Sequence, residues 1–420
     1  MPREADQTKR TMKTILVLLM LLLPLNAAFC ADPDTLTLRG RFYLDGTWVT
    51  VKVVDEVIHS ISRQIPDDDQ EGAIPGPDLW IAPGLIDIQI NGYAGIDFAD
   101  QDLRAEDMVM ATRALWKAGV TSFLPTVTTN SRERLATSFR LLSKTGRDPA
   151  IAASLPGYHL EGPYISPHDG YRGAHMEEFV REPDWEEFQQ LQELCDHGIK
   201  LVTVAPETEG ALSFTRKAAS SGVVVSLGHH NGSPEQIRMA ADAGATLSTH
   251  LGNGCANMIH RHNNPLWPQL AEDRLSASLI VDGYHLNRDE VICFYRMKGP
   301  ARTILVSDAL HLAGMPPGEY DSFGRTLLMT GEVVKYPEQN VLAGAAVPVS
   351  RCVANMMAFT GCTLAEAIGM ASTNPARLLG LADRGSILPG KRADLILFSL
   401  DEGKMTIHKT VVAGKVVYAE

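Results

Sequence analysis

Several apolar, strand-length runs in this sequence end on side chains that can bind a metal ion or carry a proton. One closes with His159-Leu160-Glu161-Gly162-Pro163, and others with Gly228-His229-His230, Thr249-His250, Asp282-Gly283-Tyr284-His285 and Ser307-Asp308. Taken singly, each has a plain structural explanation, because a His or Asp at a strand end often caps the next helix or bonds a loop. Taken together, they place carboxylates and imidazoles at one set of strand ends. One carboxylate and two imidazoles on a single face supply oxygen and nitrogen ligands suited to zinc. A fourth position is then left for water, as a catalytic zinc site requires.

For these residues to meet, the strands must run parallel with their ends together. Apolar runs at 85–90, 120–127, 155–160, 201–205, 223–227, 246–250, 277–281 and 303–307 alternate with helical stretches such as 106–118, 184–196 and 234–243. The last of these is opened by Ser233 with Gln236 three residues on, a capping box. Such β/α units point to a closed (β/α)8 barrel of the TIM type in the α/β class, although a doubly wound open sheet produces similar runs. In a barrel of this kind the active site lies at the C-terminal ends of the strands. Residues 35–61 alternate in short β-type runs around the hairpin signal Asp45-Gly46. The same texture returns in 393–398, 405–408 and 410–418, with Ala413-Gly414 as the last turn. The two ends are therefore expected to build one small β-sandwich domain, from 32–82 and 381–420, around a barrel spanning 83–380. The 420 residues accommodate a barrel of roughly 250 residues and one such domain.

With 45% hydrophobic and 21% charged residues, the composition is that of an ordinary globular protein. The formal charge of -12 and the lack of any Lys/Arg block beyond the N-terminus argue against nucleic acid as a partner. Cys30, Cys195, Cys255, Cys293, Cys352 and Cys362 form no C-x-x-C pair, so free, mostly buried thiols are expected in place of a zinc ribbon or a disulfide scaffold. Lys9, Arg10 and Lys13, the apolar run 14–25 and the small residues Ala27, Ala28 and Ala31 read as a signal peptide over residues 1–31. Met12 is an alternative start. Bulky Phe29 before Cys30 disfavours lipidation, and the apolar run is short for a span of roughly 20 residues. The expectation is an exported protein, periplasmic or extracellular, with no stable membrane association after cleavage.

The strings Pro83-Gly84-Leu85-Ile86-Asp87, His159-Leu160-Glu161-Gly162-Pro163-Tyr164, Gly228-His229, Thr249-His250-Leu251, Asp282-Gly283-Tyr284-His285, Ser307-Asp308-Ala309 and Leu342-Ala343-Gly344 resemble those of the N-acetylglucosamine-6-phosphate deacetylases of the amidohydrolase superfamily. They recur in family order from about residue 36 onward, and 385–395 is similar to a segment shared by many relatives. The resemblance implies one divalent metal ion per subunit, zinc being expected, held by Glu161, His229 and His250. It implies Asp308 as the catalytic carboxylate and His175, after Ala174, as the contact to the scissile carbonyl. Asn253 and Gly254 fall on substrate-binding positions, as do Leu342, Ala343 and Gly344. Arg261, contributed by a neighbouring subunit, and His285 fall on phosphate-binding ones, which implies a homodimer acting on a small amino sugar.

The sequence departs from its relatives in places. Many amidohydrolases hold a second metal with His-x-His after the first strand, where this chain has Gln89-Ile90-Asn91. Amides are poor zinc ligands, so a single ion is expected. The loop 252–264 differs from the usual form, and His168 and Arg172 are expected in a solvated loop. A sugar 6-phosphate is a cytoplasmic metabolite, whereas the leader points outward. An unphosphorylated amino sugar or a cell-wall fragment is the alternative substrate, with Arg261 and His285 then fixing a hydroxyl or closing an interface. Hydrolysis of an N-acyl amino acid or a cyclic amide is a second reading, and a non-catalytic binding protein a third. The third conflicts with the retention of Glu161, His229, His250 and Asp308 together.

Overall fold

Eight parallel strands, hydrogen-bonded in chain order, form the centre of the protein in a computed structural model that describes residues 34–63, 79–322, 325–337 and 341–420. The expected leader lies outside the described residues. The strands are Leu85–Ile90, Val120–Thr128, Tyr158–Glu161, Ile199–Val204, Val224–Leu227, Ala245–Ser248, Ser276–Ile280 and Thr303–Val306. The first and last meet at their ends, where the Asp308 N–H donates to the Gln89 carbonyl at 2.9 Å and the Ser307 N–H to Asp87 Oδ1 at 3.2 Å. The sheet is thus a closed barrel and not an open doubly wound one. Each expected run contains a strand; the third begins late, at Tyr158, a few residues after the 3-10 turn Ala152–Ser154.

Ile86, Ile88, Leu124, Leu201, Leu247, Ile280, Ile304 and Val306 form a buried cluster on the barrel strands. Full burial of each such side chain contributes about 1.5–3 kcal/mol relative to exposure. Helices Ala105–Lys117, Trp185–Leu194 and Pro234–Asp242 fall where the apolar periodicity places them. The Ser233 hydroxyl accepts from the Gln236 N–H at 3.2 Å while Gln236 Oε1 accepts from the Ser233 N–H at 2.8 Å, completing the expected capping box.

The chain ends pair as expected in one small β domain, whose strands join in a seven-stranded sheet. Its order runs Lys415–Ala419, Lys404–Val412, Leu395–Asp401, Trp80–Pro83, Thr35–Phe42, Trp48–Val54, Val57–Ser62. The closing hairpin turns on Ala413 and Gly414, both left-handed at φ 46° and 78°. A Cβ on Gly414 would lie 1.9 Å from the Asp55 carbonyl oxygen, so only glycine fits there.

One element has no counterpart in the sequence reading. After the last barrel strand, Gly318–Ser322, Arg325–Met329, Val333–Tyr336 and Val341–Ala345 form a four-stranded antiparallel sheet. Leu312, Leu327, Met329, Val334 and Ala346 are its own apolar cluster. Among the described cysteines, Cys195, Cys352 and Cys362 are buried, Cys255 is half-buried and Cys293 exposed, and all are free.

Candidate active site

Glu161, His229, His250 and Asp308 lie at or just beyond the C-terminal ends of the third, fifth, sixth and eighth barrel strands. His229, His250 and Asp308 have positive φ, 51°, 29° and 49°. A non-glycine residue in that region costs about 1–3 kcal/mol and persists only where the surroundings enforce it. The backbone turns sharply at each strand end and brings the side chain to the common mouth.

There, Glu161 Oε1 lies 2.9 Å from His250 Nε2 and 3.4 Å from His229 Nε2, and the two Nε2 atoms are 3.0 Å apart. Ligands around a tetrahedral zinc at about 2.0–2.1 Å stand roughly 3.3–3.4 Å from one another. The triad is therefore within a few tenths of an ångström of a three-ligand site. His175 also approaches: Glu161, His175 and His229 offer ligand atoms within 4.8 Å of one another, with His175 Nε2 3.3 Å from His229 Nε2. The set containing His250 is the tighter. One carboxylate and two imidazoles fit a divalent ion of the zinc type.

The ring of His229 is held from behind. Its Nδ1 stands 3.0 Å from the Tyr171 carbonyl, which can only accept, so Nδ1 carries the proton and the Nε2 lone pair points into the site. A Cβ on Gly254 would sit 2.8 Å from His229 Nδ1, so Gly254, expected at the substrate, also gives this imidazole its room.

Asp308 accepts at Oδ1 from Asn91 Nδ2 at 2.7 Å and Gln89 Nε2 at 3.3 Å, and Gln89 Nε2 also reaches Glu161 Oε1 at 2.8 Å. The amides standing where many relatives carry His-x-His thus donate hydrogen bonds to both carboxylates. Burial, with the Glu161 charge adding, pushes Asp308 up to about 6. Burial acts on Glu161 in the same sense, but the imidazoles of His229 and His250 beside it overcome it and hold this carboxyl well below its ordinary value. Burial pushes His175 down to about 3. The site therefore combines a carboxylate kept charged, a carboxyl able to take up a proton near neutrality, and a neutral imidazole.

The other expected residues fall into two groups. Leu342, Ala343 and Gly344 lie in the last strand of the four-stranded sheet, whose Ala345 N–H donates to the Asp308 carbonyl at 3.0 Å, so this strand abuts the site. His285 Nδ1 is 2.7 Å from Asp282 Oδ2, and Asp282 Oδ1 also accepts the Tyr284 and His285 N–H groups at 2.8 and 2.9 Å. His285 follows the seventh barrel strand, Ser276–Ile280, whose C-terminal end opens on the same mouth. The Asn253 N–H bonds the His250 carbonyl at 2.8 Å, and its side-chain Nδ2 is buried without a partner among the described residues. Ala174 is exposed beside His175. Arg261 is not drawn into the cluster: it stands exposed on the loop after His250, near exposed Met258 and Trp267.

Two residues escaped the sequence reading. Arg172, expected in a solvated loop, donates through Nη1 to the His175 carbonyl at 2.8 Å and clamps that loop. Thr129, just past the second strand, contacts His175 Nδ1 at 2.7 Å. The threonines around it are core residues of a strand, so nothing in the sequence distinguishes it.

The amidohydrolase family model matches residues 80–417. The chain is 33% identical over 377 residues to an N-acetylglucosamine-6-phosphate deacetylase of Lysinibacillus sphaericus, covering 90% of this chain and 94% of that protein. It is 36% identical over 325 residues to an N-acetylgalactosamine-6-phosphate deacetylase of Escherichia coli O157:H7, covering 77% and 84%. Among solved structures, N-acetylglucosamine-6-phosphate deacetylase of Thermotoga maritima superposes with a TM-score of 0.79 at 29% identity, covering 92% of this chain and 100% of that one.

Proposed function

Since this chain belongs to the amidohydrolase family and, within it, to the N-acetylglucosamine-6-phosphate deacetylases, we propose that it removes the acetyl group from the nitrogen of an amino sugar 6-phosphate. N-acetylglucosamine 6-phosphate is the first substrate to try. The relative active on the galacto epimer motivates testing that sugar beside it. The observation that carries the reading is the meeting of Glu161, His229 and His250 within 2.9–3.4 Å, with the carboxyl of Asp308 joined to Glu161 through Gln89.

In this reading Glu161, His229 and His250 hold one divalent ion, zinc by its preference for this donor set. When bound, such an ion polarises the amide carbonyl and lowers the pKa of water toward neutrality. Asp308 takes the proton as water adds to the carbonyl carbon, and returns it to the nitrogen as the C–N bond breaks. His175 donates from Nε2 to the carbonyl oxygen as negative charge develops there. Acetate and the free amine leave. His285 at the mouth and Arg261 from the partner subunit of a homodimer take the anionic group; an exposed Arg261 beside Met258 and Trp267 supports a loop that works outside its own subunit. The expected leader supports action outside the cytoplasm, on a phosphorylated sugar present there or on another acidic amino-sugar fragment.

The test is a comparison of purified enzyme on N-acetylglucosamine with and without 6-phosphate, N-acetylgalactosamine 6-phosphate and N-acetyl amino acids, with metal content measured alongside. Release of acetate from a 6-phosphate at the highest kcat/KM is expected. A preference for N-acetyl amino acids, or full activity after exhaustive chelation, overturns the reading.

A further inference from the structure

Three imidazoles crowd the mouth, with His175 Nε2 3.3 Å from His229 Nε2 and His229 Nε2 3.0 Å from His250 Nε2. Proximity alone does not say which of them faces an ion with a lone pair and which offers a proton. The groups behind the rings do. His229 is backed at Nδ1 by the Tyr171 carbonyl, a pure acceptor that forces the proton onto Nδ1. His175 is backed at Nδ1 by the Thr129 hydroxyl, 2.7 Å away, which is able to donate.

The hydroxyl has little choice. Thr129 is buried, and among the described residues its Oγ1 is bonded to His175 Nδ1. If Nδ1 carried the proton, the Thr129 O–H would be left buried with no acceptor, and such a group costs its full desolvation. If Thr129 donates, its hydrogen is satisfied and the imidazole proton is driven to Nε2, the atom facing His229. The backbone opposite is shaped for this contact: a Cβ on Gly162 would fall 2.1 Å from Thr129 Oγ1. Arg172 fixes the other end, binding the His175 carbonyl.

We propose that Thr129 is a positioning residue that locks His175 into the Nε2–H tautomer, making it the proton donor of the site and keeping it out of the metal's ligand set. This rests on the reading of the site given above. A carbonyl behind one ring and a hydroxyl behind the next assign opposite duties to two histidines whose Nε2 atoms nearly touch.

The test uses zinc-loaded enzyme labelled with ¹⁵N at histidine, in wild type, Thr129→Val and Thr129→Ser, with His175 assigned by the signal lost in His175→Gln. Expected are an Nε2–H signal in wild type, its loss in Thr129→Val and its return in Thr129→Ser. In parallel kcat should fall about 10-fold or more in the valine variant with KM nearly unchanged, and recover with serine. A purely structural role predicts no change of tautomer. A wild-type proton on Nδ1 overturns the proposal, as does a valine variant that keeps both the Nε2–H signal and the wild-type kcat. The wild-type spectrum is decisive even if the valine variant does not fold. If the wild-type enzyme hydrolyses no N-acetyl amino sugar, the proposed reaction fails, while the spectrum still decides the role of Thr129.

Discussion

Replacing Asp308 with Asn removes a proton acceptor and leaves almost everything else in place. The Asn91 and Gln89 amides donate to Asp308 Oδ1, at 2.7 and 3.3 Å, and an asparagine oxygen accepts from both in the same geometry. The backbone of residue 308, tied to Gln89 and Ala345, is untouched. The fold and the three proposed metal ligands should therefore survive. The amide cannot receive the proton of water, and kcat should drop by at least about 10²-fold, which is about 2.7 kcal/mol of transition-state stabilisation. The pH profile gives an independent check. The base works deprotonated, so wild-type kcat should fall on the acid side of a value near or below 6, because burial raises Asp308 to about 6 and a nearby divalent ion draws it back down. In Asp308→Asn that acidic limb should vanish. Steady-state kinetics from pH 4 to 9, with zinc measured on the same samples, decide the matter. An Asp308→Asn enzyme that loses its metal, yet turns over at near wild-type rate when reloaded, would show that Asp308 is a ligand, and the proton acceptor would lie elsewhere.

Other changes probe the surroundings. Asn91→Ala removes a hydrogen bond that favours the charged form of Asp308, so the acidic limb should move to higher pH; no movement argues against the contact. Gly254→Ala places a methyl 2.8 Å from His229 Nδ1 and should weaken zinc binding about 10-fold or more, read by competition with a chelator, and unaltered affinity counts against the cradle. Asp87 is buried and raised to about 7, above its unfolded value, so its contribution to stability is present at low pH and is lost as pH rises toward 7. Asp87→Asn, whose oxygen still accepts from Ser307 and Gln89, should therefore gain stability relative to wild type on going from pH 5 to pH 8 in urea unfolding; the opposite trend refutes the assignment. Mature protein recovered from cells should begin near residues 29–32 and lie outside the cytoplasm, and an intact N-terminus on cytoplasmic protein contradicts this.

Much of the barrel was legible because buried parallel strands are continuous apolar runs, and their polar last residues mark the mouth. Glu161, His229, His250 and Asp308 are among the polar strand ends found that way, beside His159, His230, Asp282 and His285, and the resemblance singled them out. The four-stranded sheet was not legible, because its short strands alternate weakly and sit where a barrel leads one to expect only a loop and a helix. Leu342, Ala343 and Gly344 were located by resemblance, with no sign that a separate sheet delivers them. Gln89 and Asn91 were recognised as poor ligands, but a sequence does not show that an amide points its N–H at a carboxylate across the barrel. Thr129 and Arg172 act through contacts with His175 made 46 and 3 residues along the chain, and neither has a signature short of the folded geometry.

The seam of the barrel coincides with the proposed proton carrier. Strands one and eight are joined by the bond from the Asp308 N–H to the Gln89 carbonyl, and the Asn91 N–H reaches across to the Ala309 carbonyl at 2.9 Å. The three proposed ligands, by contrast, come from strands three, five and six. Along the chain, the residues proposed to grip an ion therefore all precede the one proposed to use it. The proposed amide-cleaving centre is complete only where the last strand closes the barrel.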